Sequence, residues 1–348
     1  MQPKHILIIG NYGSGNLGDD AILGGILTDL QAIGYDGAIE ITHGGFQTSP
    51  EIYADLPKIT FVPVGLRSRL RKNNAKEAIQ KADLVILGGG GLFVDSESWK
   101  APLIWAKQAA ACHRLGTPYI CYGQSVGPLK HWLSRYLTRK TFKNAKAIHV
   151  RDQGSAKILR KLGITDVTVG TDPAFSWIAE QNSLENKDHL IIVLREWNQK
   201  AKDSWNEILE KTKEFAAQKN LKPVLMAMDP RNSKELKALK ETGLHVLEPK
   251  SALEALKHIK EAKATVSMRL HSSIFAIAAG IPLLALSYSP KVEALMQSLG
   301  AKHAVTNLEN LNLKILENFQ KIAIPPKLIK QNQAFLEDAL TNHEKWVQ

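Results

Sequence analysis

Residues 265–291 read TVSMRLHSSIFAIAAGIPLLALSYSPK. The pattern is a short strand, a polar turn carrying Arg269 and His271, an apolar helix from about Ser272, a break at Gly280-Ile281-Pro282, and a second buried strand ending at Lys291. The run from Ile274 to Leu286 is too short to span a bilayer and is interrupted by Gly280 and Pro282, so it belongs to a core. A cation and an imidazole therefore stand where a strand feeds a helix N-terminus, whose unpaired N–H groups and positive dipole attract anions. His271 alone reads equally as a cap or a satisfied core residue. Arg269, two residues away on the same side of an extended segment, adds the case for an anion site.

Outward from this stretch, strands and helices alternate. Residues 6–9 form an apolar strand that runs into GNYGSGNLGDD at 10–20 and then a helix with Ile22, Leu23, Ile26, Leu27 and Leu30. Strand, glycine loop and helix open a doubly wound sheet, whose carboxyl edge meets ligand. Gly13, Gly15 and Gly18 fit G-x-G-x-x-G, but Asp19 and Asp20 at the helix start repel a pyrophosphate, so this is a weak nucleotide motif. These acids either cap the helix or offer a general base. Strands are expected at 38–42, 59–64, 84–87, 119–122 and 147–150, with basic helices at 66–81 and 131–144. Glycine-rich or polar loops follow several of them: Gly88 to Gly91, Gly123 to Pro128, Arg151-Asp152 and Thr171 to Phe175. A polar linker at 178–188 leads to a second α/β unit beginning with the strand at 189–194. The expected division is 1–178, 188–310 and a helical tail, 311–348, with the option of packing back on the first domain. The fold class is α/β, two Rossmann-like doubly wound domains facing across a cleft, the GT-B-like architecture.

The 348 residues are 44% hydrophobic and 23% charged, a globular composition, and carry a net charge of +11. Basic clusters lie at Arg67, Arg69, Arg71 and Lys72 and across 130–146, without a nucleic-acid-binding signature. An anionic substrate or an anionic membrane surface fits better than a nucleic acid. Cys112 and Cys121 have neither metal-ligand nor disulfide spacing and read as reduced thiols. No cluster spells a metal site. The N-terminus lacks a signal-peptide pattern, so the expected location is cytoplasmic, with peripheral contact at the inner face of the plasma membrane as an option.

The motifs GNYGSGNLGDDAIL, GGGGLFVD, GQSVGPL, HVRD, TDPAF and MRLHSSIFAIAAGIPLLALSYSPKV together resemble the polysaccharide pyruvyl transferase family over residues 6–300. The likeness is greatest to the bacterial CsaB-type enzymes of cell-surface anchoring. It implies transfer of the enolpyruvyl group of phosphoenolpyruvate, the donor substrate, to a sugar, without a further cofactor. The implied acceptor is an N-acetylmannosamine unit of a lipid-linked secondary cell wall polysaccharide precursor. The product is a 4,6-pyruvate ketal of the kind S-layer homology domains bind. The resemblance puts Arg151, His271 and Lys291 at donor-binding positions, and Arg269 joins them from its place beside His271. The acceptor is expected on the loops of the first domain, at Asn16, Gly89, Gly90, Gln124 and Asp172.

Such chemistry needs cations for a phosphate and a carboxylate, which two guanidinium forks and an ammonium supply. It also needs an acid for the methylene carbon; His271 is the candidate, or else it holds the leaving phosphate. The base is open among Asp19, Asp20, Asp95 and Asp172, with Asp19 and Asp20 preferred. Arg151 could instead pair with Asp152, and Lys291 could be a solvated helix start. A glycosyltransferase using a nucleotide sugar, or a non-catalytic sugar-binding protein of the same fold, are the rival readings.

Overall fold

The structure, a computed structural model, describes residues 2–44, 52, 59–63, 74–96, 98–179, 187–196, 199–287, 290–307 and 319–347. The basic cluster at Arg67 to Lys72, the heart of the expected linker and most of the helix expected over 311–322 lie outside the described residues. Contacts divide the chain into two units. Met1–Ser14, Asp19–Trp177 and Pro326–Gln348 form the first; Gly15–Gly18 and Ile178–Pro325 form the second.

Among the described residues the first unit holds seven strands: β1 (His5–Ile9), β2 (Ala38–His43), β3 (Ile59–Pro63), β4 (Leu84–Phe93), β5 (Tyr119–Val126), β6 (Ile148–Val150) and β7 (Thr168–Val169). They pair in parallel in the order β3-β2-β1-β4-β5-β6-β7. Parallel neighbours require crossovers. These contain α1 (Leu17–Ala32), α2 (Asn74–Lys81), α3 (Lys100–Leu115), α4 (Trp132–Asn144) and α5 (Gln153–Lys161), and α6 (Ala174–Ala179) follows β7. Helices on both faces bury the central strands completely, so Ile6, Leu7, Ile8 and Ile9 read as an unbroken apolar run. The core joins Leu7, Val85 and Cys121 of the sheet to Ile79, Cys112, Phe142 and Leu159 of the helices. Burial pushes the Cys112 thiol up to about 12 and raises Cys121 as well, so both stay protonated.

The second unit repeats the plan. Strands β8 (His189–Val193), β9 (Lys222–Met226), β10 (Val246–Leu247), β11 (Ala264–Ser267), β12 (Leu283–Ser287) and β13 (Val305–Asn307) form a parallel sheet, β10-β9-β8-β11-β12-β13. Its helices are α7 (Gln199–Gln218), α8 (Ser233–Lys240), α9 (Ala252–Lys260), α10 (Leu270–Ala278) and α11 (Pro290–Ser298). In both sheets the winding reverses after the third strand in sequence, which leaves the switch point between β1 and β4 and between β8 and β11, where open α/β sheets bind ligands.

Several sequence-based boundaries are corrected. β4 continues through Gly88–Gly91, and β5 through Gly123–Val126, where loops are expected; Gly88 pairs with Tyr122, Gly90 with Gln124 and Phe93 with Val126. Glycine permits this because other groups occupy the side-chain space: a Cβ at Gly88 would lie 2.4 Å from the Tyr12 hydroxyl, and one at Gly89 2.1 Å from Ile22. α10 starts at Leu270, so His271 sits in its first turn rather than in a loop before it. β12 ends at Ser287, and Lys291 lies in the first turn of α11; its side chain is outside the described atoms. Neither α5 nor β7 is foreseen, though Asp152 before an amphipathic run is a capping signal; its carboxylate accepts from Ser155 N–H.

The tail divides. Gln320 forms an antiparallel bridge to Leu283 in the second unit. Beyond it, α12 (Pro326–Asn342) and α13 (Glu344–Val347) group with the first unit. Asn332 of α12 is fully buried: its side-chain carbonyl accepts from Thr171 N–H (3.0 Å) and its amide donates to the Thr171 carbonyl (3.2 Å). Phe335 stacks on Tyr122 and lies 5.1 Å, centroid to centroid, from His149.

Candidate functional site

At the switch point of the first sheet, the loop after β1 faces the glycines of β4. Asp19, half-buried in the first turn of α1, accepts from the Asn11 amide (2.8 Å). A Cβ at Gly90 would lie 3.3 Å from its carboxylate, so Gly90 leaves Asp19 room over the strand. Asp20 is buried and accepts from Gly13 N–H (2.9 Å), closing the glycine loop on the helix start. Tyr12 packs beneath them, its hydroxyl pKa raised by burial and then by Asp19 and Asp20, so it remains a neutral phenol beside two carboxylates. Of the two acids, Asp20 is committed to the backbone and Asp19 is the one open to solvent.

The other predicted positions of the first unit are distributed along the carboxyl edge. Asp95 accepts from the N–H groups of Lys130 and His131 (both 2.8 Å). Burial raises its pKa, but those bonds and one from Ser134 outweigh it, so the net shift is downward and the carboxylate anchors the start of α4. Arg151 is buried and paired with the equally buried Asp172 through Nη1. Asp172 also accepts from Ala174 N–H (3.0 Å), capping α6. The alternative pairing of Arg151 with its neighbour Asp152 is not made; the pair instead spans two strand ends. Gln124 is fully buried and donates to the Leu87 carbonyl (2.8 Å). Gly89 is filled by Ile22.

In the second unit the same edge carries the opposite chemistry. Arg269 is the N-cap residue of α10, in extended conformation, with no side-chain cap. Its carbonyl accepts from the hydroxyls of Ser267 (2.8 Å), Ser272 (3.0 Å) and Ser273 (3.1 Å), and its N–H donates to Ser267 Oγ (3.1 Å). This fixes the backbone at the head of the helix. Its guanidinium is fixed as well, by an ion pair through Nη2 to buried Glu235. Glu235 takes a further bond from Glu196 N–H (3.3 Å), in the loop after β8, so one carboxylate ties together both sides of the switch point. The Nε of Arg269 is buried without a hydrogen-bond partner among the described residues. Glu235 is a residue the sequence reading misses; Asn232, whose side chain accepts from Glu235 N–H, begins an N-x-x-E capping pattern that marks it.

His271 follows in the first turn of α10, half-buried. The tetrapeptide Gly15–Gly18 belongs by contacts to this unit, with Leu17 N–H donating to the Met228 carbonyl (3.2 Å). Within it, Asn16 caps the start of α1, accepting from Gly18 N–H (3.1 Å). A Cβ at Gly18 would lie 2.1 Å from His271 Nδ1, so only glycine lets the imidazole occupy its place. A helix start, a rigid guanidinium and an imidazole are groups suited to hold an anion and move a proton.

Among solved structures, the fold is shared with UDP-GlcNAc 2-epimerase from Neisseria meningitidis (TM-score 0.67, 14% identity, covering 97% of this chain and 100% of that one). It is shared also with the UDP-GlcNAc 2-epimerase of Methanocaldococcus jannaschii (TM-score 0.61, 15% identity, 96% and 99% covered). The fold is thus of the GT-B type, built from two Rossmann-like domains. In sequence, the chain is 22% identical to the amylovoran biosynthesis protein AmsJ of Erwinia amylovora, over 88% of each protein. The model of the family described as polysaccharide pyruvyl transferase matches residues 16–290. With Asp19 and Asp20, the buried arginine pairs and the head of α10 all inside that match, the chain belongs to the polysaccharide pyruvyl transferase family.

Proposed function

We propose that the chain moves the enolpyruvyl group of phosphoenolpyruvate onto a lipid-linked, N-acetylmannosamine-containing precursor of a cell wall polysaccharide, as a CsaB-type enzyme. The family supports the reaction class. The observation that carries the choice of donor is the head of α10, where Arg269 and His271 stand at a helix N-terminus at the switch point of the second sheet. Because Glu235 neutralises Arg269, this residue contributes a fixed fork rather than net charge. Arg151 and Lys291 complete the donor set in this reading, and Asn16, Gly89, Gly90, Gln124 and Asp172 shape the acceptor side.

The chemistry balances with two sugar hydroxyls. A proton added to the methylene carbon of the enol makes C2 electrophilic, and the first hydroxyl adds there as it loses its proton. The second hydroxyl then displaces phosphate from the same carbon, closing a 4,6-ketal, and its proton leaves with the phosphate. His271 delivers the first proton, and Asp19, the residue after Gly18 in sequence and the more accessible of the two acids, removes one from the sugar. The test is phosphate release from phosphoenolpyruvate with and without a synthetic N-acetylmannosaminyl-N-acetylglucosamine diphospholipid, with mass spectrometry of the sugar. Acceptor-dependent phosphate and a sugar carrying one ketal-linked pyruvate are expected. Absence of both, with turnover of a nucleotide sugar, would overturn the donor.

A further inference from the structure

The four large hydrophobic side chains that stand out exposed among the described residues are Trp99, Ile104, Trp132 and Tyr136. All belong to the first unit, at the heads of α3 and α4, and Trp132 is 71% exposed. Successive right-handed crossovers place these two helices side by side on one face of the sheet. Between them runs an open groove of about 510 Å³, with Leu103, Ala110, Tyr136 and Leu137 in its lining and Lys107 and Lys140 on its walls. The two helices carry seven Lys and Arg residues, all exposed, and not one Asp or Glu. None of this is needed for the chemistry above: the catalytic candidates lie on other elements.

Aromatic and aliphatic side chains projecting among unopposed cations are the composition of a surface that lies in a lipid headgroup layer, the aromatics at the acyl boundary and the cations on the phosphates. We infer that the α3–α4 face docks the protein on an anionic bilayer surface. Charge chooses the occupant. A second copy meeting this face on its own counterpart would set Lys107, Arg114 and Lys140 against the same cations, whereas an anionic leaflet neutralises them. No helix among the described residues is long and apolar enough to cross a membrane, so this attachment lies on the bilayer rather than through it.

Vesicle co-sedimentation of the full chain, without substrate, tests this apart from the transfer reaction. The protein should bind vesicles of phosphatidylcholine doped with phosphatidylglycerol, bind pure phosphatidylcholine weakly, and release as salt is raised. Trp132→Ser with Tyr136→Ser, and separately Lys107→Glu with Lys140→Glu, should each lower the partition coefficient by about tenfold or more. Because all four residues are at the surface, circular dichroism should show both variants folded. Equal binding to both vesicle types, no binding to either, or variants that bind like the parent would overturn the proposal. So would a dimer in solution that these substitutions dissociate, which would make the face a contact between copies.

Discussion

The two sheets share one winding order, yet their switch points are chemical opposites. In the first, Asp19 and Asp20 stand over a buried tyrosine and the glycines of β4. In the second, Arg269 and His271 stand at the head of α10, with three serines holding the backbone. Topology decides where a site can form, and side chains at that edge decide its sign. The largest effect should come from removing the proton donor proposed for the second edge. His271→Ala should cut turnover by about 10²–10⁴-fold with the melting temperature unchanged. Gly18→Ala, which forces the imidazole aside, should cost about 10²-fold with no change to any ionisable group. Wild-type turnover by either variant, in the phosphate-release assay, would break the assignment of acid chemistry to this edge.

The acidic edge is sharpened by separating its two carboxylates. Asp19→Asn should lower kcat about 10²-fold, the effect of losing a base, while leaving stability within a few tenths of a kcal/mol. Asp20→Ala should do the reverse. It strips the buried Gly13 N–H of its acceptor, costing about 1–3 kcal/mol, read as a lowered melting temperature. If Asp19→Asn retained full turnover, the first edge would hold the acceptor without acting on its protons.

Much of this was legible in the sequence, for physical reasons that also mark its limits. Strands buried on both faces leave unbroken apolar runs, so β1 and β8 are found from Ile6 to Ile9 and Leu190 to Val193. Glycine runs, by contrast, state only that something approaches closely. At Gly88 and Gly89 the visitors are Tyr12 and Ile22, and the strand continues through them. Partners distant in sequence carry no local signal: Arg151 selects Asp172 rather than its neighbour Asp152, and Arg269 selects Glu235 from another helix. Exposed aromatics are equally silent, because Trp132 and Tyr136 look like core residues until the helix face is known.

The smallest of these effects concerns a second histidine, and it separates structural from chemical use of the same side chain. His149 is fully buried in the first unit, between Tyr122 and Phe335. Its Nδ1 accepts from Gly123 N–H (3.1 Å), a bond that an imidazolium cannot accept. Burial lowers its pKa to about 3, against a weaker upward pull from Asn332. The pKa is lower folded than unfolded, so above the ordinary value of 6.5 the residue is neutral in both states and pH has no effect. Below 6.5 the unfolded form gains a proton that the folded form refuses, and stability declines until the pH nears 3. At pH 5 the loss is about 2 kcal/mol, from 1.4 kcal/mol per pH unit. Because Phe335 and Asn332 reach this residue from α12, opening of that helix should feel the change. Hydrogen exchange of the α12 amides, corrected for intrinsic rates, should show protection falling about 30-fold from pH 7.5 to pH 5. His149→Gln, which keeps an acceptor but cannot titrate, should flatten that dependence. The same slope in both proteins would mean that α12 opens without exposing His149, and that acid sensitivity resides elsewhere in the first unit.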